Sequence, residues 1–383
     1  MDMKEGWEKR RFDEIMTPAR VERCGDRTDL PILSITMRSG IVEQRDRFSK
    51  TIASVDRSNY KIVKDGQLVI AFPIDEGLVY TQDVAKEGIM SPAYNIWDVD
   101  YSLVNRNFLV SYFHSRFAFD YYKAKLRGST QRRRSMDKED LLSMPIPVPP
   151  ISEQKRIVEE LDLLNGIIAK EKTQLEELDK LAQSIFYDMF GDPVTNEKSW
   201  KRLTLDNVVE ITSKLVNPND EPFVNQYHIG PANIVSHTGE IVDCKLAKDE
   251  NLISSKYAFK KGMILYSKIR PNLNKVAIAP LDGICSADMY PLHVKENANN
   301  VFVWKLLSSK EFLKYAINNS GRARMPKMNR EALFSYELDL PPLSHQQEFA
   351  DKISAIEAMK AKVSQSLKEA EQLFNSRMDY YFN

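Results

Sequence analysis

Two stretches of the chain carry apolar residues at heptad spacing. Ile157, Leu161, Leu164, Ile168, Glu171, Leu175, Leu178, Ala182, Ile185 and Met189 alternate by four and three, a helical stripe with one charged interruption. Phe349, Ile353, Ile356, Lys360, Val363, Leu367, Ala370, Phe374, Arg377 and Tyr381 repeat that stripe 192 residues later. The spacing predicts two long helices whose apolar members form a seam. A proline pair precedes each helix, Ser152 or Ser344 is placed to cap it, and Gln347 completes a capping box in the second copy. Gly191-Asp192-Pro193 stops the first helix. A helix from 152 to 190 is roughly 58 Å long and cannot leave its seam in water. The natural partner is the chain's other helix, packed antiparallel about a pseudo-two-fold axis; another protein's helix is the alternative.

The repeat extends beyond the helices. Met136-Asp-Lys-Glu-Asp-Leu141 with Pro149-Pro150-Ile-Ser-Glu-Gln154 returns as Met328-Asn-Arg-Glu-Ala-Leu333 with Pro341-Pro342-Leu-Ser-His-Gln346. Trp7 answers to Trp200, Lys64-Asp-Gly66 to Lys260-Lys-Gly262, and Gly88-Ile-Met-Ser91 to Gly283-Ile-Cys-Ser286, with slips of a few residues. A chain of 383 residues holds two such periods and little else. So long a period marks a duplicated domain, not a solenoid.

Each copy opens with a module of mixed pattern. Leu68 to Phe72 and Met263 to Tyr266 follow turn residues and have strand length and composition. Leu109, Val110, Phe113, Phe117 and Tyr121 then recur at helical spacing, as do Val303, Trp304, Leu307, Phe312 and Tyr315. The expected fold class is α+β: two similar mixed α/β modules, 1–150 and 193–342, each followed by a long helix, 151–192 and 343–383.

Composition narrows the chemistry. Apolar residues make up 43%, enough for real cores, and Lys+Arg and Asp+Glu both number 54, so any polyanionic partner must be met by local clustering. Three dispersed cysteines, a charged N-terminus and no long apolar run predict a soluble cytoplasmic protein away from membranes. No two of the fourteen glycines lie closer than nine residues, which excludes GxGxxG and Walker A loops. The five histidines form no HExxH motif, and no zinc site or GxSxG elbow is recognisable. Glu153-Gln-Lys155 has the letters of a nuclease motif but falls in the first turn of a heptad helix, where an acid suits the helix dipole. No catalytic constellation emerges, and none is assigned.

Charge is nonetheless polarised. Residues 116–134 carry seven basic residues against Asp120, net +6, and 305–330 carry seven against Glu311, again +6. Clusters at matched places in both copies, interleaved with Ser, Thr, Asn and Gln, suit phosphate neutralisation and base-edge contact on DNA. The alternatives are a solvated basic face balancing the acidic helices, a coiled-coil adaptor with duplicated protein-binding modules, and a stand-alone nuclease that lacks its carboxylate–lysine site.

Pro147-Val-Pro-Pro150-Ile-Ser-Glu-Gln-Lys-Arg-Ile157, together with Leu178 and Leu181-Ala-Gln-Ser-Ile-Phe-Tyr-Asp-Met-Phe-Gly-Asp192, resembles the central conserved region of specificity (S) subunits of type I restriction–modification enzymes. Leu340-Pro-Pro-Leu-Ser-His-Gln-Gln347 resembles their distal conserved region. The resemblance covers the whole order of module, helix, module, helix. It implies target recognition domains that each read one half of an interrupted double-stranded DNA sequence. It further implies an antiparallel coiled coil that sets their spacing and docks two DNA adenine methyltransferase subunits, which motor-nuclease subunits join. S-adenosylmethionine, ATP and magnesium would then sit on the partners, with no cofactor on this chain. Under that implication the DNA contacts are Lys123, Lys125, Arg127, Arg132, Arg133 and Arg134 in the first module. In the second they are Arg322, Arg324, Lys327 and Arg330, with Lys268 and Arg270 just after a strand.

Overall fold

A computed structural model describes residues 5–27, 29–37, 39–47, 56–127, 135–192, 195–321 and 324–383. The chain divides into two compact units, residues 1–172 with 365–383, and residues 173–364.

In the first unit, strand Glu8–Arg11 pairs antiparallel with Pro145–Val148 and so returns the end of the module to its beginning. Its main sheet runs in the order Met16–Pro18, Asn95–Val99, Leu68–Ile70, Val79–Thr81, antiparallel throughout. Asp65-Gly66 makes the turn before Leu68, with Gly66 in the left-handed region at φ +84°. Helices Arg106–Phe113 and Arg116–Lys125 contribute Phe108, Leu109, Tyr112, Phe113 and Tyr122 to the core beside Phe12, Ile15 and Leu68. Each such fully buried side chain contributes about 1.5–3 kcal/mol. The helical stripe that seemed continuous is broken at Ser115, which is extended and whose Oγ accepts from Ala118 N at 3.2 Å.

The second unit repeats this plan. Lys201–Thr204 pairs with Glu337–Leu340, and a sheet runs Val209–Glu210, Met289–Val294, Ile264–Ser267, Val276–Ile278. Helices Asn300–Ser308 and Lys310–Asn318 are separated by Ser309, which caps Phe312 N at 3.2 Å. The second unit also holds a five-stranded sheet whose one parallel pair joins Tyr227–Ile229 to Gly283–Cys285. In the first unit the corresponding region forms two separate strand pairs, Leu33–Thr36 with Gly40–Glu43 and Lys61–Lys64 with Glu87–Met90.

The long helices span Ile151–Phe190 and Leu343–Phe382, 40 residues each. Within each unit their segments run antiparallel. In the first, Arg377 donates to Glu160, Glu171 accepts from Ser366 Oγ, and Lys172 Nζ lies 2.8 Å from Glu371. In the second, Lys360 Nζ donates to Asp179 at 2.8 Å and Lys352 Nζ lies 3.8 Å from Met189 Sδ. Every position of both heptad stripes is buried or half-buried, while Leu163 and Leu181, beside the stripes, are exposed. Ile157, Leu161, Leu164, Leu178, Phe349, Ile353 and Ile356 are buried; Ile168, Leu175, Ile185, Val363, Leu367 and Phe374 are half-buried.

Two expectations for the helices are corrected. The helices begin at Ile151 and Leu343, so Ser152 and Ser344 lie inside the first turn and are not caps. The carbonyl of Pro150 accepts from Glu153 N and Gln154 N, and that of Pro342 from His345 N and Gln346 N. Gln347 forms no capping box; its side chain accepts from Asn299 Nδ2 and donates to Asp351. In addition, the buried stripe leaves the heptad at each C-terminal end. Leu178, Ala182, Phe186 and Phe190 are buried at spacings of four, as are Met378 and Phe382 after Phe374. A spacing of four advances the stripe by about 40° per step, so that it reaches the module core as well as the partner helix. There Phe186 and Phe190 pack against Phe302 and Phe349, with centroids 4.9–6.0 Å apart, and Phe382 packs on Phe108 at 5.2 Å.

Candidate nucleic-acid interface

The helix roots are fastened to the modules by two glutamines. Gln154, fully buried, donates Nε2 to Leu103 O at 2.9 Å and Pro149 O at 2.7 Å, and its Oε1 accepts from Asn105 N at 2.6 Å. Asn105 in turn caps the helix Arg106–Phe113. Gln346, also fully buried, donates to Pro341 O at 2.8 Å and accepts from Asn299 N at 2.8 Å; Asn299 caps the equivalent helix. Both amides are thereby satisfied without solvent. The repeated tryptophans also sit at long-helix ends. Trp7 Nε1 donates to Glu153 at 3.2 Å, which gives that first-turn acid a partner, and Trp200 Nε1 donates to Phe190 O at 3.2 Å.

Arg132, Arg133, Arg134 and Arg322 lie outside the described residues. In the first unit Lys123 and Arg127 are exposed. Lys125 Nζ donates to Asp140 at 2.9 Å, and Arg127 reaches Asp137 at 2.9 Å and Asp140 at 3.6 Å. The hydrogen bond and charge of Asp140 raise the Lys125 ammonium above its ordinary range. Two of the first module's basic side chains are thus partly balanced by acids just beyond the basic run.

In the second unit two segments that lie apart in sequence meet. Ile269 forms a bridge with Lys327, Arg270 N donates to Pro326 O at 2.9 Å, and Met328 N donates to Lys268 O at 2.7 Å. Lys268 and Arg270 therefore stand beside Arg324 and Lys327. Lys268 Nζ is spent on Ala287 O at 2.5 Å and lies over the Tyr290 ring; Lys327 sits 3.4 Å from Asp288. Arg270, Arg324 and Arg330 are exposed, with the Arg330 guanidinium 5.1 Å from the Phe334 ring centre. This edge offers cations to a polyanion from a rigid two-segment platform, together with the exposed amide of Asn272. The backbone pairing of the two segments was not visible in sequence.

Among the described residues no cluster of His, Cys, Asp and Glu could hold a metal ion, and no helix is long and apolar enough to cross a membrane.

A model of the type I restriction modification DNA specificity domain matches residues 4–180 and again residues 197–372. The specificity subunit of the type I restriction enzyme EcoDI from Escherichia coli is 30% identical over 267 residues, covering 61% of this chain and 59% of that protein. The putative MjaX specificity subunit from Methanocaldococcus jannaschii is 23% identical over 278 residues, covering 70% and 63%. The chain thus spans less than two thirds of the length of either relative. Among solved structures, the S subunit of a type I restriction-modification system from M. genitalium aligns with 100% of this chain and 97% of its own, at TM-score 0.59 and 13% identity. A chain from a study of complex assembly in the type I R-M system aligns over 100% and 99% at TM-score 0.58 and 15% identity. At these identities the structural likeness speaks for the fold.

Proposed function

The chain belongs to the type I restriction modification DNA specificity family, and from that premise we propose that it is the non-catalytic, DNA-reading subunit of a restriction–modification complex. Each module reads one half of an interrupted double-stranded target. The paired helices set the distance between half-sites and dock two DNA adenine methyltransferase subunits, which motor-nuclease subunits join. S-adenosylmethionine, ATP and magnesium belong to those partners.

The observation that carries this reading is the duplication itself. Two modules with the same sheet order, the same helix pair and the same glutamine-fastened root each match the specificity-domain model. Each also presents exposed cations, Lys123 and Arg127 in one and Arg270, Arg324, Lys327 and Arg330 in the other. Two similar modules joined by stiff helices suit two half-sites at fixed separation. The cations supply salt-dependent affinity, and base contacts supply the sequence.

The test is methylation mapping by long-read sequencing in cells that express the chain with its methyltransferase partner. A two-part interrupted adenine motif that requires this chain is expected. Its absence, with the methyltransferase shown to be active, would overturn the reading.

A further inference from the structure

Arg270 occupies a backbone conformation that non-glycine residues avoid, φ +48° and ψ 59°, and its side chain is exposed. Among the described residues its guanidinium takes no hydrogen bond or ion pair, unlike Lys268 and Lys327 beside it. The turn it opens is pinned on every side. Leu273 N donates to Arg270 O and Asn274 N to Pro271 O, both at 2.9 Å, while Arg270 N is held by Pro326 O. Asn274, itself left-handed and buried, donates Nδ2 to Ser308 O at 2.9 Å, and its carbonyl accepts from His237 N at 3.2 Å. The first module makes the same one-turn helix at Ile74–Glu76, closed by left-handed Gly77, but Pro73 stands in the place of Arg270, at φ −76°. The fold of the turn therefore needs neither an arginine nor a left-handed residue at its start.

We propose that Arg270 is a specificity-determining residue that reads a guanine in the half-site of the second module, and that Asn274 is the positioning residue that holds its turn. The assignment rests on the DNA-reading function proposed above. The same fork can grip a phosphate, but a phosphate contact carries no sequence information and a mobile lysine can stand in for it as a point charge. A planar, always-charged fork on a rigid, strained turn suits bidentate recognition of guanine O6 and N7, which needs fixed geometry. The first module, with Pro73 there, would read its half-site with other groups.

The experiment uses the whole chain with its methyltransferase partner and compares unaltered protein with Arg270→Gly, Arg270→Lys and Asn274→Gly. Both glycine variants keep the left-handed backbone; Asn274→Gly also takes the donor from Ser308 O, so its melting temperature is recorded beside its motif. Arg270→Gly should relax the methylated motif at one G·C pair of one half-site, losing roughly ten- to hundred-fold discrimination there, with the other half-site unchanged and the melting temperature unchanged or raised. Arg270→Lys should fall between. Asn274→Gly should relax the same base pair, which a merely structural role would not do. Even weakening across all sequences, or an intact motif in Arg270→Gly, would overturn the assignment. No two-part motif from the unaltered chain would instead overturn the recognition reading on which it stands.

Discussion

Arg377 grips Glu160 across the helix pair of the first unit through both Nε and Nη2, and Tyr381 donates its hydroxyl to the same carboxylate at 2.6 Å. The hydrogen bonds from Arg377 and then Tyr381 hold the Glu160 carboxyl below the usual range. A depressed carboxylate stabilises the fold fully above its unfolded pKa, about 4.3, and that contribution drains as pH falls through the folded value. Glu160→Gln should therefore cost most at neutral pH, lose that deficit as pH falls, and so flatten the acid limb of stability against pH. Arg377→Ala should cost about 1–2 kcal/mol, since the pair is about 30% exposed and partly screened. Urea unfolding from pH 3 to 7 checks both; an unchanged acid limb in Glu160→Gln would remove the pair from the account.

Gln154→Ala and Gln346→Ala should each be among the more damaging single changes in their units. Each empties a fully buried side-chain site and strips the partner from a part-buried backbone N–H, of Asn105 or Asn299, at about 1–3 kcal/mol per orphaned group. Chemical denaturation of the two variants should give losses of similar size, because the two roots are built alike.

Gly239→Ala should be worse still. Gly239 sits at φ +74°, and an added Cβ would lie 2.3 Å from the carbonyl oxygen of Val276. Strain and overpacking together predict a loss of about 2–4 kcal/mol, visible as an earlier thermal transition. Gly6→Ala, left-handed at φ +81° but with nothing within 4 Å, should cost less and serves as the control.

Salt dependence should separate free cations from spent ones. Lys123→Ala should lower the slope of log affinity against log salt by up to ~0.9 if it meets one phosphate. Lys125→Ala should change it less, because Asp140 already holds that ammonium. Equal slopes for the two variants would show that Asp140 releases Lys125 on binding.

Much of this architecture is legible in sequence because it rests on periodicity. The heptad stripes, the 192-residue repeat and the strand that follows Asp65-Gly66 are local patterns, and local patterns survive in a string of letters. What escaped depends on contacts between distant segments. The net +6 counted over 116–134 stops three residues short of Asp137, and Asp137 and Asp140 partly balance Arg127 and Lys125. Phe186 and Phe190 belong to a stripe at spacings of four that overlaps the heptad. It is buried more deeply than the heptad positions Ile185 and Met189 because Phe302 and Phe349, distant in sequence, pack on it. Gln154 and Gln346 were conspicuous as repeated letters, but nothing in the letters says that each glutamine will find a backbone amide 49 or 47 residues away.

The glutamine roots bear on how freely the modules can diverge. Gln154 hydrogen-bonds the main chain of Leu103, Asn105 and Pro149, and Gln346 that of Asn299 and Pro341. Such a joint is blind to sequence: any module that brings a capped helix to the right place presents it with the same two peptide groups. The surface that meets DNA can then be rewritten residue by residue without the mounting having to be redesigned.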